Sequence, residues 1–168
     1  MDVVFSPELT ICGIEELPGQ SARNVTHVLS LLDPDLPERV RPRPDHVASI
    51  LAFGQDFLNR QDRDAASHLL VHCHMGISRS TAAMLTLMAQ GNPDEEAENL
   101  FTRLTVIRPQ AWPNSQMVGF ADEQLGRNGD LTAALRRHYG RQIRKQPQYL
   151  EWMTKLGRKA ELDMAILD

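Results

Sequence analysis

The sequence of 168 residues has few cysteines and few aromatic residues. Two cysteines, Cys12 and Cys73, are too few for the disulfide framework of a small secreted scaffold. No stretch approaches the roughly 20 apolar residues that span a membrane. The N-terminal residues lack the basic region and the apolar run of a signal peptide. These absences predict a cytoplasmic protein with reduced thiols.

The length and the apolar content indicate a single folded domain. Hydrophobic residues make up 42% of the sequence, and because aromatic residues contribute only 5%, a core of Leu, Ala and Met is expected. Neither internal repeats nor low-complexity segments interrupt the chain. A globular fold with an aliphatic core is therefore predicted.

Charge is unevenly distributed, although the net charge is only −4. Basic residues are concentrated towards the C-terminus: Arg127, Arg136, Arg137, Arg141, Arg144, Lys145, Lys155, Arg158 and Lys159. One interpretation is the solvated face of C-terminal helices. Another is a docking surface for an acidic partner, a polyanion or an anionic membrane. No nucleic-acid-binding motif is evident, and the oligomeric state stays open.

The hydrophobic pattern alternates between short strands and helices, which predicts an α/β fold. Strands are expected at residues 2–5, 10–14, 25–32 and 68–72. Helices are expected at 44–59, at 80–90, from Pro93 with Asn92 as the cap, after Asn114 or Ser115, and at 131–145 and 148–165. The helix at 80–90 is apolar nearly all round, so it should be buried.

The stretch from His72 to Ser80 joins the strand at 68–72 to that buried helix. A loop between a strand and a helix N-terminus can direct its backbone N–H groups at an anion. The same field favours a thiolate, since helix N-termini and cationic neighbours can lower a cysteine pKa from about 8.5 to roughly 3.5–7.5. Cys73 is therefore a candidate nucleophile beneath a bound oxyanion.

Other residues of this stretch fit the same chemistry. The planar guanidinium of Arg79 can hold two phosphate oxygens at once, and Gly76 gives the loop room to curl. Ser80 can donate a hydrogen bond to the sulfur, and His72 is expected to orient the loop by bonding to backbone. The phosphate would contact the residues that follow the cysteine: His74, Met75, Gly76, Ile77, Ser78 and Arg79.

The cysteine has two other interpretations. A lone cysteine is usually a small buried hydrophobe, but here arginine, glycine and serine accompany it. Three consecutive metal ligands at His72, Cys73 and His74 would be awkward on a strand, because neighbouring side chains point to opposite faces. We therefore predict neither a metal nor a cofactor. For Cys12, core packing is expected, with redox protection of Cys73 as an alternative.

The pattern His-Cys, five residues, Arg-Ser resembles the signature of the cysteine-based protein tyrosine phosphatases. Ile107 to Asn114, Gly119-Phe120 and Gln124-Leu125 resemble the segment that follows the loop in the small dual-specificity-like branch. The resemblance extends over residues 68–126. It implies a small, mainly parallel sheet flanked by helices, with a catalytic domain at 1–126. Residues 127–168 would be a helical C-terminal extension packed on that domain.

The resemblance also implies a general acid, an aspartate on a loop upstream of the cysteine. The short segment 36–43 contains no aspartate and has too few residues for a strand and a catalytic loop. Asp33 and Asp35 flank Pro34 and fit a turn, and Asp45 fits the first turn of a helix. These three are weak candidates, and the absence of a dedicated acid is the further possibility.

The predicted function is hydrolysis of a phosphate monoester through a cysteinyl-phosphate intermediate. Cys73, Arg79 and Ser80 are the expected catalytic residues. By resemblance the substrates are phosphotyrosine proteins, with phosphoserine and phosphothreonine proteins or a small phosphate ester as further options. The alternative is a phosphate-binding module, or an impaired phosphatase relative without a general acid.

Overall fold

The computed structural model describes residues 7–32, 41–61 and 67–168. In chain order the elements are β1 Glu8–Gly13, a 3₁₀ helix Ile14–Gln20, β2 His27–Leu31, α1 Pro44–Gln61, β3 His68–Cys73, α2 Arg79–Gly91, α3 Ala97–Ile107, α4 Ser115–Gln124, α5 Asp130–Lys145, α6 Tyr149–Lys155 and α7 Lys159–Met164. The strand predicted at 2–5 and the aspartates Asp33 and Asp35 lie outside these ranges.

The described strands form a parallel sheet in the order β1-β3-β2. Every residue of the central strand β3 is buried, as expected of a strand with neighbours on both edges. Gly13 of β1 and Leu31 of β2 both pair with Cys73 in this register. The candidate nucleophile therefore lies at the carboxyl edge of the sheet, where open α/β sheets bind their ligands. This confirms the predicted α/β architecture.

Helix α2 lies over the sheet and contacts all three strands. Residues 80–89 are all buried, in agreement with its apolar sequence. The helices α1, α3 and α4 pack around it. Because α2 begins immediately after the loop at residues 74–78, this packing holds one end of that loop in the core.

The start of α3 differs from the prediction. Helix α3 begins at Ala97 rather than at Pro93. Asn92 is not its cap, because the Asn92 amide nitrogen donates back to Met88 O at 2.8 Å and closes the preceding helix. Arg127, whose role the sequence did not indicate, donates to the carbonyls of Ala89, Asn92 and Glu95 and fixes this turn.

The single helix predicted at 148–165 is two helices. Helix α6 ends at Lys155, Gly157 has a φ of +71°, and α7 begins at Lys159. Ala160, within the predicted helix, is exposed. The break turns Glu161 into the molecule, where it is 4% exposed.

The C-terminal helices share the core of the preceding residues. One hydrophobic cluster includes Leu100 and Val118 together with Leu131, Tyr139 and Met153. The Asp122 carboxylate of α4 also accepts from the backbone N–H groups of Gly129 and Thr132, at 2.6 and 3.1 Å, at the start of α5. The division at residue 126 stays a prediction. Among the described residues no helix is both long and apolar enough to cross a membrane.

Candidate active site

The Cys73 thiol is buried at the end of β3, with polar groups around its sulfur. The Ser80 hydroxyl lies 3.1 Å from Cys73 Sγ, and the Gly76 backbone N–H donates to the same sulfur at 3.2 Å. Ser80 itself is fully buried in the first turn of α2. The sulfur is therefore held between the loop and the helix that follows it.

The pKa of the Cys73 thiol is lowered from its ordinary value. Burial alone would raise this pKa, since it penalises the charged form. Hydrogen bonds from the Ser80 hydroxyl and from the backbone N–H groups of Ser80, Gly76 and Ile77 outweigh the burial. They stabilise the thiolate, which is the nucleophilic form of cysteine.

The loop at residues 74–78 turns its carbonyl groups outward, where each accepts a hydrogen bond. The donors are Ile14 N to His74 O, Arg108 Nη2 to Met75 O, Arg108 Nε to Gly76 O, Trp112 N to Ile77 O and Asn114 N to Ser78 O, at 2.9–3.3 Å. In a trans peptide the N–H points opposite to the C=O. The N–H groups of residues 75–79 are therefore directed to the concave side, which forms an anion-binding nest.

Gly76 cannot be replaced without moving the backbone. Its φ is +70°, and a Cβ there would lie 2.5 Å from Cys12 C and from Gly13 N. Strand β1 thus lies directly against the loop. Only glycine combines this dihedral with this close approach.

Arg108 binds the outside of the loop and ties it to the 3₁₀ helix. Its guanidinium donates to the Glu16 carboxylate at 3.0 and 2.8 Å, in addition to the loop carbonyls. The hydrogen bond from Arg108 lowers the pKa of Glu16, which also accepts from Gly13 N at 2.6 Å. The Arg-Pro dipeptide is visible in the sequence, but its contact with the loop was not predicted.

The remaining predicted loop residues differ in exposure, and Ile77 packs against the hydrophobic core. His74 and Met75 are exposed, with Met75 at 48%, whereas Ile77 and Ser78 are half-buried. Arg79 is half-buried at the first position of α2. The structure thus brings the predicted residues together, and their catalytic and phosphate-binding roles stay predictions.

The expectation for His72 was wrong. His72 Nε2 bonds to the Ser30 hydroxyl of β2 at 2.6 Å rather than to loop backbone, and its buried Nδ1 has no partner among the described residues. The sheet register explains this, because Ser30 pairs with His72 across β2 and β3. No cluster of three or more His, Cys, Asp or Glu able to hold a metal occurs in the described ranges.

Cys12 is a buried free thiol on β1, opposite His72 in the sheet. Its pKa is raised, first by burial and then by the nearby Glu16 carboxylate. A raised pKa disfavours the thiolate, so Cys12 is less reactive than Cys73. The placement suits core packing, and the redox role stays untested.

The general acid is not identified. Asp45 is exposed in the first turn of α1, which fits its interpretation as a helix-terminal acid. Asp33 and Asp35 fall outside the described residues.

Most of the basic residues near the C-terminus bind groups of the chain itself. The contacts are Arg127 to the turn before α3, Arg136 to Met164 O, Arg137 and Arg141 to Glu98, Arg144 to Asp168 O, Lys155 to Glu151, Arg158 to Glu161 and Lys159 to Asp163. An acidic partner at these helices stays a prediction.

The chain is similar to known phosphatases in sequence and in structure. It is 31% identical over 142 residues to human protein phosphatase Slingshot homolog 3, a match that covers 78% of this chain. The Cydia pomonella PTP-2 phosphatase superimposes with a TM-score of 0.54, at 21% identity over 69% of this chain and 84% of that one. DUSP15 superimposes with a TM-score of 0.52, at 19% identity over 74% and 91%.

The chain resembles the cysteine-based protein tyrosine phosphatases in sequence and in fold. The resemblance noted in the sequence is thereby confirmed, as is the fold that it implied. The names of these proteins also agree with the predicted enzyme class. No family model matches the chain. The chain spans about a fifth of the length of the Slingshot relative, with 20% of that protein covered.

Proposed function

We propose that this chain hydrolyses phosphate monoesters through a cysteinyl-phosphate intermediate. The observation that carries the proposal is the Cys73 thiol itself, whose pKa is lowered beneath a nest of inward-directed N–H groups. A thiolate in such a place is an activated nucleophile. The nest is complementary to the oxygens of a phosphoryl group, whose charge it would stabilise in the transition state.

The reaction has two steps. The Cys73 thiolate attacks phosphorus, an S–P bond forms, and the P–O ester bond breaks. The leaving oxygen takes a proton from water or from an acid. Water then attacks the phosphocysteine, the S–P bond breaks, and inorganic phosphate leaves while the thiolate is regenerated. Ser80, 3.1 Å from the sulfur, stabilises the thiolate that departs in the second step.

Phosphotyrosine proteins are the proposed substrates, with phosphoserine and phosphothreonine proteins next. The loop residues between Cys73 and Arg79 include no lysine, which disfavours ligands with several phosphates such as phosphoinositides. The exposed Met75 side chain of the loop offers an apolar surface that suits an aromatic ring. The Slingshot relative is by name a protein phosphatase, which supports phosphorylated proteins as the substrate class.

A phosphate-binding module is the second candidate. It is favoured because no general acid is identified among the described residues. Without proton donation, esters with poor leaving groups lose the typical hundred- to ten-thousandfold gain from general acid catalysis. Such a protein would still bind phosphate in its nest. Turnover separates the two candidates, whereas binding is common to both.

The test is hydrolysis of an activated aryl phosphate and of a phosphotyrosine peptide from pH 5 to pH 8. We expect turnover of both substrates, and loss of both in Cys73→Ser. Cys12→Ser is the matched control, because it removes the other buried thiol of the chain. Turnover of the activated ester alone indicates a nucleophile that works without an acid. If folded, reduced protein hydrolyses neither substrate, the phosphatase proposal is wrong.

A further inference from the structure

The segment at residues 109–114, here called the support segment, holds the back of the phosphate-binding loop. Trp112 N donates to Ile77 O at 2.9 Å, and Asn114 N donates to Ser78 O at 3.2 Å. These two bonds keep the last carbonyls of the loop pointing away from the nest. The direction of the loop N–H groups therefore depends on where the support segment lies.

The support segment is in turn bound by the C-terminal helices. Its carbonyls accept from α5 and α6: Pro109 O and Ala111 O from Gln142, Ala111 O also from His138, Gln110 O from Tyr149, and Pro113 O from Tyr139. The Trp112 ring stacks on Tyr139 and Tyr149, with centroids 4.2 and 5.0 Å away. Residues 127–168 thus contribute the hydrogen-bond donors and the aromatic rings that contact the support segment.

Glu161 of α7 joins these contacts at one buried carboxylate. Its Oε2 accepts from Ser115 N and lies near the Tyr139 hydroxyl, both at 2.7 Å, and the single proton of that hydroxyl is shared with Pro113 O. Its Oε1 accepts from Trp112 Nε1 at 3.4 Å and pairs with Arg158. A buried carboxylate is costly unless it is paired and hydrogen-bonded. Glu161 therefore favours one arrangement of these donors.

The chain after Glu161 fixes α7 on α5. Ile166 N donates to Arg136 O at 3.1 Å. Gly140 allows the close approach, because a Cβ at that position would lie 1.6 Å from Ile166 O. The C-terminal end of α7, the helix that carries Glu161, is thereby held against α5.

We propose that Glu161 is a positioning residue for the phosphate-binding loop, acting through Trp112 and Ser115. The inference rests on the proposed function of that loop. Glu161 does not contact the phosphate itself. It holds the support segment so that the Trp112 and Asn114 N–H groups meet the loop carbonyls, and the loop N–H groups stay directed at the phosphate.

The test compares Glu161→Gln with Glu151→Gln. Glu151 makes an exposed ion pair with Lys155 on α6, so it is a matched control for the loss of one carboxylate. Inorganic phosphate affinity is measured by its protection of Cys73 from iodoacetamide, at a temperature where both variants are folded. The pH profile of the unprotected alkylation is recorded as well.

We expect Glu161→Gln to bind phosphate on the order of tenfold more weakly, because small displacements of binding groups are costly. Its alkylation profile should move to higher pH, since a misplaced loop stabilises the thiolate less. Glu151→Gln should match the wild type in both respects. If Glu161→Gln is only less stable, with wild-type phosphate affinity and alkylation profile, the positioning role is wrong.

A second variant decides the matter if Glu161→Gln does not fold. Tyr139→Phe keeps the ring on Trp112 but removes the hydroxyl that joins Pro113 O to Glu161. The same weakening of phosphate binding is expected, and unchanged affinity contradicts the proposal.

The failure of the proposed function is distinguishable from the failure of this proposal. A wild-type protein that binds phosphate without turnover contradicts the proposed function alone. If the wild type does not bind phosphate either, the alkylation profiles still test Glu161.

Discussion

Two opposing effects act on the thiol of Cys73. Burial penalises the thiolate, whereas the Ser80 hydroxyl and three backbone N–H groups stabilise it, and the pKa is lowered as a net result. A hydrogen bond to a charged group is worth about 1.5–3 kcal/mol. The Ser80 hydroxyl is the only one of these donors that a substitution can remove without altering the backbone.

Ser80→Ala should therefore make Cys73 harder to ionise. The pH at which iodoacetamide alkylation of Cys73 reaches half its maximal rate should rise, and alkylation at neutral pH should slow. Ser49→Ala is the control, because the exposed Ser49 hydroxyl donates to a carbonyl of its own helix, Asp45 O. An unchanged profile in Ser80→Ala contradicts the stabilisation of the thiolate by Ser80.

Gly76→Ala should disrupt the loop. The new Cβ meets backbone atoms of Cys12 and Gly13 at 2.5 Å, in a dihedral region that costs a non-glycine residue about 1–3 kcal/mol. Phosphate binding should be lost, and the free energy of unfolding by urea should fall by at least a comparable amount.

Gly119→Ala is the control for this substitution. Gly119 lies within α4, and an alanine Cβ there would meet no neighbouring atom within 4 Å, so alanine should be neutral or stabilising at this position. If the two substitutions change phosphate binding and the free energy of unfolding equally, the close contact at Gly76 does not explain the effect of Gly76→Ala.

At the scale of single residues, the sequence predicted the loop well and its surroundings poorly. Cys73, Gly76 and Ser80 carry their chemistry in a short local pattern, so their proximity follows from the chain itself. His72 was misjudged because its partner, Ser30, is brought to it only by the pairing of β2 with β3. A contact between distant strands leaves no local pattern.

At the scale of elements, the loop is held by what packs outside it. Arg108, just after α3, binds Met75 O and Gly76 O and forms a bidentate pair with Glu16 of the 3₁₀ helix. Three elements distant in sequence therefore meet at one guanidinium. Lysine cannot reproduce this arrangement, because its donors all lie on one nitrogen and lack the planar fork of a guanidinium.

Arg108→Lys should lower kcat/KM for an aryl phosphate on the order of 10- to 100-fold, through a displaced loop. Arg103→Lys is the matched control on α3, the helix that ends just before Arg108, since Arg103 forms a partly exposed ion pair with Glu95. Wild-type kcat/KM in Arg108→Lys would contradict the role of Arg108 in holding the loop.

Helix positions were predictable where the apolar periodicity is long, as in α1, α2 and α5. The prediction failed where a short polar turn decides the outcome. Asn92 fits a cap for the following helix, but it closes α2, because Arg127 binds the turn's carbonyls and α3 starts at Ala97. The break at Gly157 was also missed, since the apolar spacing continues across it.

At the scale of the whole molecule, the C-terminal helices and the loop side share one core. His138 of α5 is buried and donates from Nε2 to Ala111 O at 2.8 Å. Burial, only partly offset by this hydrogen bond, lowers the pKa of His138 from 6.5 to about 4. The neutral imidazole is thus the form that the folded protein accommodates.

Stability should consequently fall in acid. An unfolded chain takes up a proton on this histidine below about pH 6.5, whereas the folded chain resists it down to about pH 4. The contribution of neutral His138 to the free energy of unfolding is present in full above pH 6.5. As the pH falls towards 4 this contribution is lost, which lowers the free energy of unfolding by on the order of 3 kcal/mol. Urea unfolding at pH 7, 5.5 and 4 measures it.

His138→Gln keeps a donor for Ala111 O but has no titrating group, so its unfolding free energy should depend less steeply on pH. The control is His46→Gln on α1, at a half-buried position. Parallel pH dependences of His138→Gln and wild type would contradict the account.

The overall architecture was predictable because it follows from the strand and helix pattern and from the loop between them. The role of residues 127–168 in holding the support segment was not predictable from the sequence. Glu161, Tyr139 and His138 act on the support segment through contacts that span 26 to 49 positions of the sequence. Periodicity indicates that such helices pack, but it does not indicate what they pack against.

The most direct test of the account is detection of phosphate on Cys73 during turnover. An activated aryl phosphate is mixed with the protein, the reaction is quenched in acid within milliseconds, and the protein is examined by mass spectrometry. With so good a leaving group the second step should be the slower one, so the intermediate should accumulate. We expect one phosphate on the peptide that contains Cys73, and none in Cys73→Ser. Phosphate on another residue, or wild-type turnover by Cys73→Ser, would contradict the account.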